Sequence, residues 1–92
     1  MSRRIVKKIL PEYFDLIASG KKKYEFRAAD FDVEDGDVLV LEEWDGMDAE
    51  TRKPTGRVIE KKVSYARKFS LDDFGQKEVI EKHGFYILQL ED

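Results

Sequence analysis

The stretch "ILPEYFDLIASGKKKYEFR" (Ile9–Arg27) changes its periodicity once, and that change carries the fold assignment. Pro11 suits the first turn of a helix, where its missing N–H costs nothing. Glu12 and Asp15 lie near the partial positive charge of that helix end. Tyr13, Phe14, Leu16 and Ile17 supply an apolar side, and Gly20 is placed to stop the helix at its C′ position. The lysines that follow suit the partial negative charge of the other end. From Lys23 the period falls to two. Tyr24 and Phe26 point one way, and Lys23, Glu25 and Arg27 the other. The expectation is a helix followed by a strand with an aromatic core face.

Outward from this stretch, Ile5–Leu10 reads as a preceding strand. Asp35-Gly36-Asp37 is a tight turn. "VLVLEEW" (Val38–Trp44) is a strand whose nearly continuous apolar start implies burial on both faces. "DGMDAETRKPTG" is a polar loop. A long strand is expected over Arg57–Arg67, with Val58, Glu60 and Lys62 on one face and Ile59, Lys61, Val63 and Tyr65 on the other. Ser70 can cap a short turn over Leu71–Phe74, and Gln76–Lys82 forms a further turn with Val79 and Ile80 inward. Phe85–Leu90 is the last strand. So many short strands on a small chain favour a closed or partly closed barrel, because closure removes exposed edges. The fold class expected is α+β, mainly β: a barrel of about five to six strands, with one main helix between the first two and a short helical turn before the last.

Ninety-two residues suit a single domain, 1–92. The chain is 41% hydrophobic, so it can bury a core, and 40% charged, against a usual ~25%. A surface so rich in charge suits a heat-adapted organism. There is no cysteine and one histidine, His83, which is read as a turn residue. The absence of cysteine excludes disulfides and thiol catalysis, and the lone His83 argues against a histidine-rich metal site or a Ser-His-Asp triad. No apolar run approaches the ~20 residues of a membrane helix, and no signal peptide follows Arg3 and Arg4. A cytoplasmic monomer without metal or cofactor is expected.

The net charge of −3 is unevenly spread. Residues 1–27 carry a balance of +5, residues 28–51 carry ten acids and no base, and residues 52–92 carry +2. A basic patch on an acidic protein is one consequence; mutual neutralisation across the surface is the other. The acids Asp30, Asp32, Glu34, Asp35 and Asp37 fail the EF-hand spacing and read as a solvated loop that repels nucleic acid from its side.

A helix followed by G-x-K-x-x-E-x-R, an acidic turn and G-D-x-L-x-L resembles the ASCH domain of the PUA-like superfamily. The residues are Gly20, Lys22, Glu25 and Arg27, then Gly36-Asp37-Val38-Leu39-Val40-Leu41, with "EEWD", "TGR" and "GFYILQL" following in order. The resemblance covers nearly the whole chain. It implies a barrel with a cleft between barrel and helix, lined by the motif's Lys, Glu and Arg, and an RNA or a nucleotide-like ligand as partner. One similar branch is an amidohydrolase on acetylated cytidine. That branch uses a Lys at the G-x-K position, a Thr three residues later and a Glu from a later strand. Here Lys22 matches, but Glu25 stands where the Thr would be.

The candidate ligand-binding residues are therefore Lys22, Glu25 and Arg27, with Lys21, Trp44, Arg57 and Tyr65 beside them. Lys22 neutralises phosphate. Arg27 offers a planar fork for bidentate bonds. Glu25 orients Arg27 or accepts from a base amino group. Trp44 and Tyr65 are either stacking faces or core, and Arg57 either meets a phosphate or is a solvated strand residue. Two other classes stay open: a hydrolase of modified nucleosides using Lys22 and Glu25 for proton transfer, and a protein-interaction module.

Overall fold

The computed structural model of the chain describes residues 2–91. Three strands form one sheet: β1 (Arg4–Ile9), β2 (Val38–Asp45) and β3 (Lys53–Lys62), in the order β1-β2-β3. Helix α1 (Pro11–Ala18) lies between β1 and β2 in the chain, and α2 (Lys77–His83) follows β3. β1 runs parallel to β2, and β3 antiparallel to it.

α1 begins at Pro11, as the sequence dictates. It ends at Ser19, and Gly20 turns the chain away with φ +79°, a conformation that glycine adopts without a Cβ penalty. Phe14 and Ile17 of α1 pack with Ile9, Leu39 and Leu41 to form the core, with Ile5, Ile59 and Val63 against its margin. Leu41, 1% exposed, is its centre. Leu39, Val40 and Leu41 are all buried, as the apolar run of β2 requires. The opposite face of the sheet leaves Val6 and Val58 half exposed around Val40, with an Arg4–Glu60 ion pair at 2.5 Å beside them.

Closure into a barrel of five to six strands does not occur: among the described residues there are three strands and an open sheet. Lys23–Arg27 and Phe85–Leu90 join no ladder. They lie side by side, but a side chain joins them. The Lys23 N–H donates to Gln89 Oε1 at 2.5 Å, and Gln89 Nε2 donates to the Lys21 carbonyl at 3.2 Å. The Gln89 amide thus occupies backbone groups that a neighbouring strand would use. Phe26 is 59% exposed and meets Phe85 edge-on at 5.2 Å between ring centroids, rather than a core. Tyr24 is likewise at the surface. The third strand covers residues 53–62 rather than 57–67, because the TRKPTG segment joins the ladder through Pro54, which an edge strand tolerates. Val79, expected inward, is half exposed on α2.

One acid of the expected solvated loop is structural. Asp37 is 2% exposed. It accepts the Arg3 N–H at 2.9 Å, an Arg3 guanidinium N–H at 3.0 Å and the Glu34 N–H at 2.9 Å. Those backbone bonds first, then the guanidinium, hold its carboxyl below the usual range. Its own backbone joins the end of β3 through the Val63 N–H at 2.7 Å. Asp35 is also used, accepting the Ala66 N–H at 2.7 Å.

Candidate functional site

Gly20 releases the chain from α1, and the Lys22 N–H returns to the Leu16 carbonyl at 2.9 Å. That bond seats Lys22 against the end of the helix. Its ammonium lies 4.9 Å from the Tyr13 ring centre and 5.1 Å from that of Tyr24, so two aromatic faces guide it. It stops 3.7 Å from Glu25 Oε1. Arg27 Nε donates to Glu25 Oε2 at 2.9 Å. The alternation read from the sequence puts Glu25 and Arg27 on one side, and the structure adds Lys22 to them. The three side chains are 16%, 15% and 27% exposed. They are neither sealed nor freely solvated. Two cations share one carboxylate, so the trio keeps a net positive charge, and the terminal Nη groups of Arg27 have no hydrogen-bond partner among the described residues.

The trio borders a cleft of about 550 Å³. Lys22, Lys23 and Arg27 stand on one wall, with Phe31 beyond them. The other wall is the end of β3 and the segment after it, carrying Lys61, Lys62, Arg67 and Lys68, with the largely exposed Tyr65 among them. The floor is Ile17, Leu39 and Leu41. Glu25 and Asp32 are the acids lining it. Such a cleft, apolar below and cationic at both rims, favours an anion with a planar or apolar part.

Of the sequence-predicted residues, the cleft unites Lys22, Glu25, Arg27 and Tyr65. It does not include Lys21, Trp44 or Arg57. Lys21 gives its carbonyl to Gln89. The Trp44 ring lies under Lys8 Nζ at 4.0 Å and near Arg52 at 5.6 Å, on the sheet face away from the cleft.

Arg57 belongs to a second cluster built by an irregularity in the β2–β3 ladder. Glu42 pairs with Val58 and Trp44 with Pro54, so Glu43 stands alone opposite Thr55-Gly56-Arg57. Gly56, at φ +92°, makes that bulge accessible to the backbone. Both flanking side chains then converge on Glu43, which is 3% exposed. Thr55 Oγ1 donates to it at 2.5 Å, Arg57 Nε at 2.9 Å, and Arg57 Nη2 closes the fork. Arg57 Nη2 also reaches Asp15 of α1 at 2.9 Å, and its guanidinium lies 4.4 Å over the Phe14 ring. The bonds from Arg57 first, then from Thr55, hold the Glu43 carboxyl below its usual range, and Glu43 in turn raises Arg57. A carboxylate so held is a weak base. This cluster ties α1 to the sheet.

Of the opposite wall, sequence reasoning found Tyr65 but missed the bases around it. The signal was there: "KKVSYARK" (Lys61–Lys68) has four bases, no acid and an interleaved tyrosine. Gln89 carried no signal of its role, because nothing local shows that its amide bridges to Lys21 and Lys23. Among the described residues no group of three or more His, Asp or Glu is arranged to hold a metal ion. No helix among them is long and apolar enough to cross a membrane.

The fold and cleft define a small α+β domain with a cationic hollow beside a single helix. The chain belongs to the family described as a domain of unknown function, DUF3850, whose model matches residues 6–88. It is similar to an uncharacterized 12.9 kDa protein in the GpA 3′ region of Escherichia phage P2, 51% identical over 37 residues. That match covers 40% of this chain and 34% of the phage protein. No solved structure matches the chain.

Proposed function

We propose that this domain binds RNA or a nucleotide-like ligand in the cleft bordered by Lys22, Glu25 and Arg27, in the cytoplasm and without catalysis. The observation that carries this reading is the convergence of those three half-sheltered side chains opposite the Lys61–Lys68 segment. Lys22 neutralises a phosphate, and Arg27, held at Nε by Glu25, presents its terminal groups to another oxygen. Tyr65 supplies a face for stacking. The ordered G-x-K-x-x-E-x-R and G-D motifs, which resemble those of ASCH domains, point the same way although the sheet is open. Hydrolysis is less favoured, since Lys22 is already paired with Glu25 and no hydroxyl stands three residues after it.

The test is fluorescence anisotropy with short labelled single-stranded RNA at low salt. Lys22→Ala and Arg27→Ala are each expected to weaken binding roughly 10- to 100-fold, the loss of one charge-assisted hydrogen bond. Trp44→Ala, on the far face, leaves affinity unchanged. Absence of RNA binding by the wild type, or equal affinity in all four proteins, rejects the reading.

A further inference from the structure

Lys22, Glu25 and Arg27 are a partition between two hollows. Behind them lies a second space of about 600 Å³, between the end of β1, α1 and the segment carrying Phe85 and Ile87. Its chemistry differs from that of the cationic cleft. Leu10, Leu16, Phe26 and Phe85 give it apolar walls, its cations are three (Lys8, Lys22 and Arg27) against the seven of the first cleft, and Glu25 is the carboxylate that lines it. Glu25 is therefore shared by both spaces. Its Oε2 takes the Arg27 Nε–H at 2.9 Å. Its Oε1 has Lys22 at 3.7 Å, beyond ordinary hydrogen-bond length, and keeps acceptor capacity.

One hollow suits phosphate, and the other suits a flat apolar group with a hydrogen-bond donor on its edge. We propose that a nucleotide unit straddles the partition, with its phosphates in the cationic cleft and its base in the apolar hollow. There an exocyclic amino group donates to Glu25. This rests on the nucleic-acid reading above and adds a specificity to it: bases that carry an amino group are preferred to uracil. A carboxylate only accepts. Cytosine turns its N4 amino group toward it, whereas uracil turns the O4 carbonyl and sets acceptor against acceptor. The uracil N3–H is flanked by two carbonyls that repel the same carboxylate. Turning a base out of a single strand is cheap, since no pairing is broken.

The decisive comparison is oligo(rC) against oligo(rU) of equal length, with affinity read by anisotropy over a salt series. The backbone charge is the same, so the difference reports the base edge. Oligo(rC) is expected to bind roughly 5- to 100-fold tighter, the discrimination of one good base contact. Oligo(rC) with N4,N4-dimethylcytosine, which lacks the donor, is expected to fall to the oligo(rU) level on the unaltered protein. Glu25→Gln, whose amide offers both donor and acceptor, is expected to erase the preference, bringing oligo(rC) and oligo(rU) to the same affinity. Equal, salt-dependent binding of oligo(rC), oligo(rU) and the dimethylated strand overturns the base hollow and leaves the phosphate cleft standing. Failure of every strand to bind overturns both. If Glu25→Gln does not fold, the dimethylcytosine arm decides alone.

Discussion

At the scale of single residues, two carboxylates of nearly equal burial do different work from Glu25. Asp37 knots the starts of β1 and β2 to the end of β3, and Glu43 holds Thr55 and Arg57 of the bulge, of which Arg57 reaches Asp15 of α1. Both carboxyls release their protons more readily in the folded chain than in the unfolded one. The unfolded chain therefore binds more protons in acid, and stability falls as pH drops. Their contribution is fully present above the unfolded values of about 4 and is lost below them. Thermal denaturation followed by circular dichroism should give a nearly level melting temperature from neutrality to about pH 5 and a decline below about pH 4. Asp37→Asn keeps one acceptor oxygen and no charge. It should lower the melting temperature at neutral pH and make the acid decline shallower. An unchanged acid profile would show that Asp37 is not among the groups responsible.

At the scale of elements, α1 was legible from its punctuation alone: Pro11, the acids of its first half, the apolar side and Gly20 are all local signals. β2 was legible because three consecutive buried residues leave no solvated face. The Thr55–Arg57 bulge was not, since a register shift belongs to two strands and neither carries it alone. Two predictions separate these cases. Leu41→Ala removes the best-buried side chain of the core and should cost about 2–5 kcal/mol, read by urea unfolding. Gly56→Ala meets no atom within 4 Å but must keep φ near +92°. It should cost about 1–2 kcal/mol from backbone strain alone. A destabilisation as large as that of Leu41→Ala would mean that the bulge, with Glu43 and Arg57, carries more of the fold than its geometry indicates.

At the scale of the whole molecule, charge is distributed by the fold rather than by the order of the chain. The basic N-terminal third and the basic Lys61–Lys68 segment are far apart in sequence, yet they face each other across one cleft. Nucleic-acid affinity should consequently fall linearly on a log–log plot against salt. Replacing Lys61 and Lys62 with alanine should reduce that slope by about 0.7 for each phosphate of a single strand that these lysines neutralise. Both side chains are exposed, so stability should not change. A salt slope identical to that of the wild type would place the bound strand away from this wall.

By itself the sequence determined the helix after the first strand, the buried central strand, the pairing of Glu25 with Arg27 on one side of an extended segment, and the surplus of charge. These follow from local periodicity and from residues with a single conformational use. Only the tertiary structure decided that the sheet stays open, that Asp37 and Glu43 are buried anchors, and that Lys61–Lys68 forms the far wall of the cleft. Periodicity says which way a side chain points, but not which segment will stand opposite it. The partner is chosen by interactions between residues distant in the chain, such as the Gln89 amide on Lys21 and Lys23, and those interactions leave no local trace.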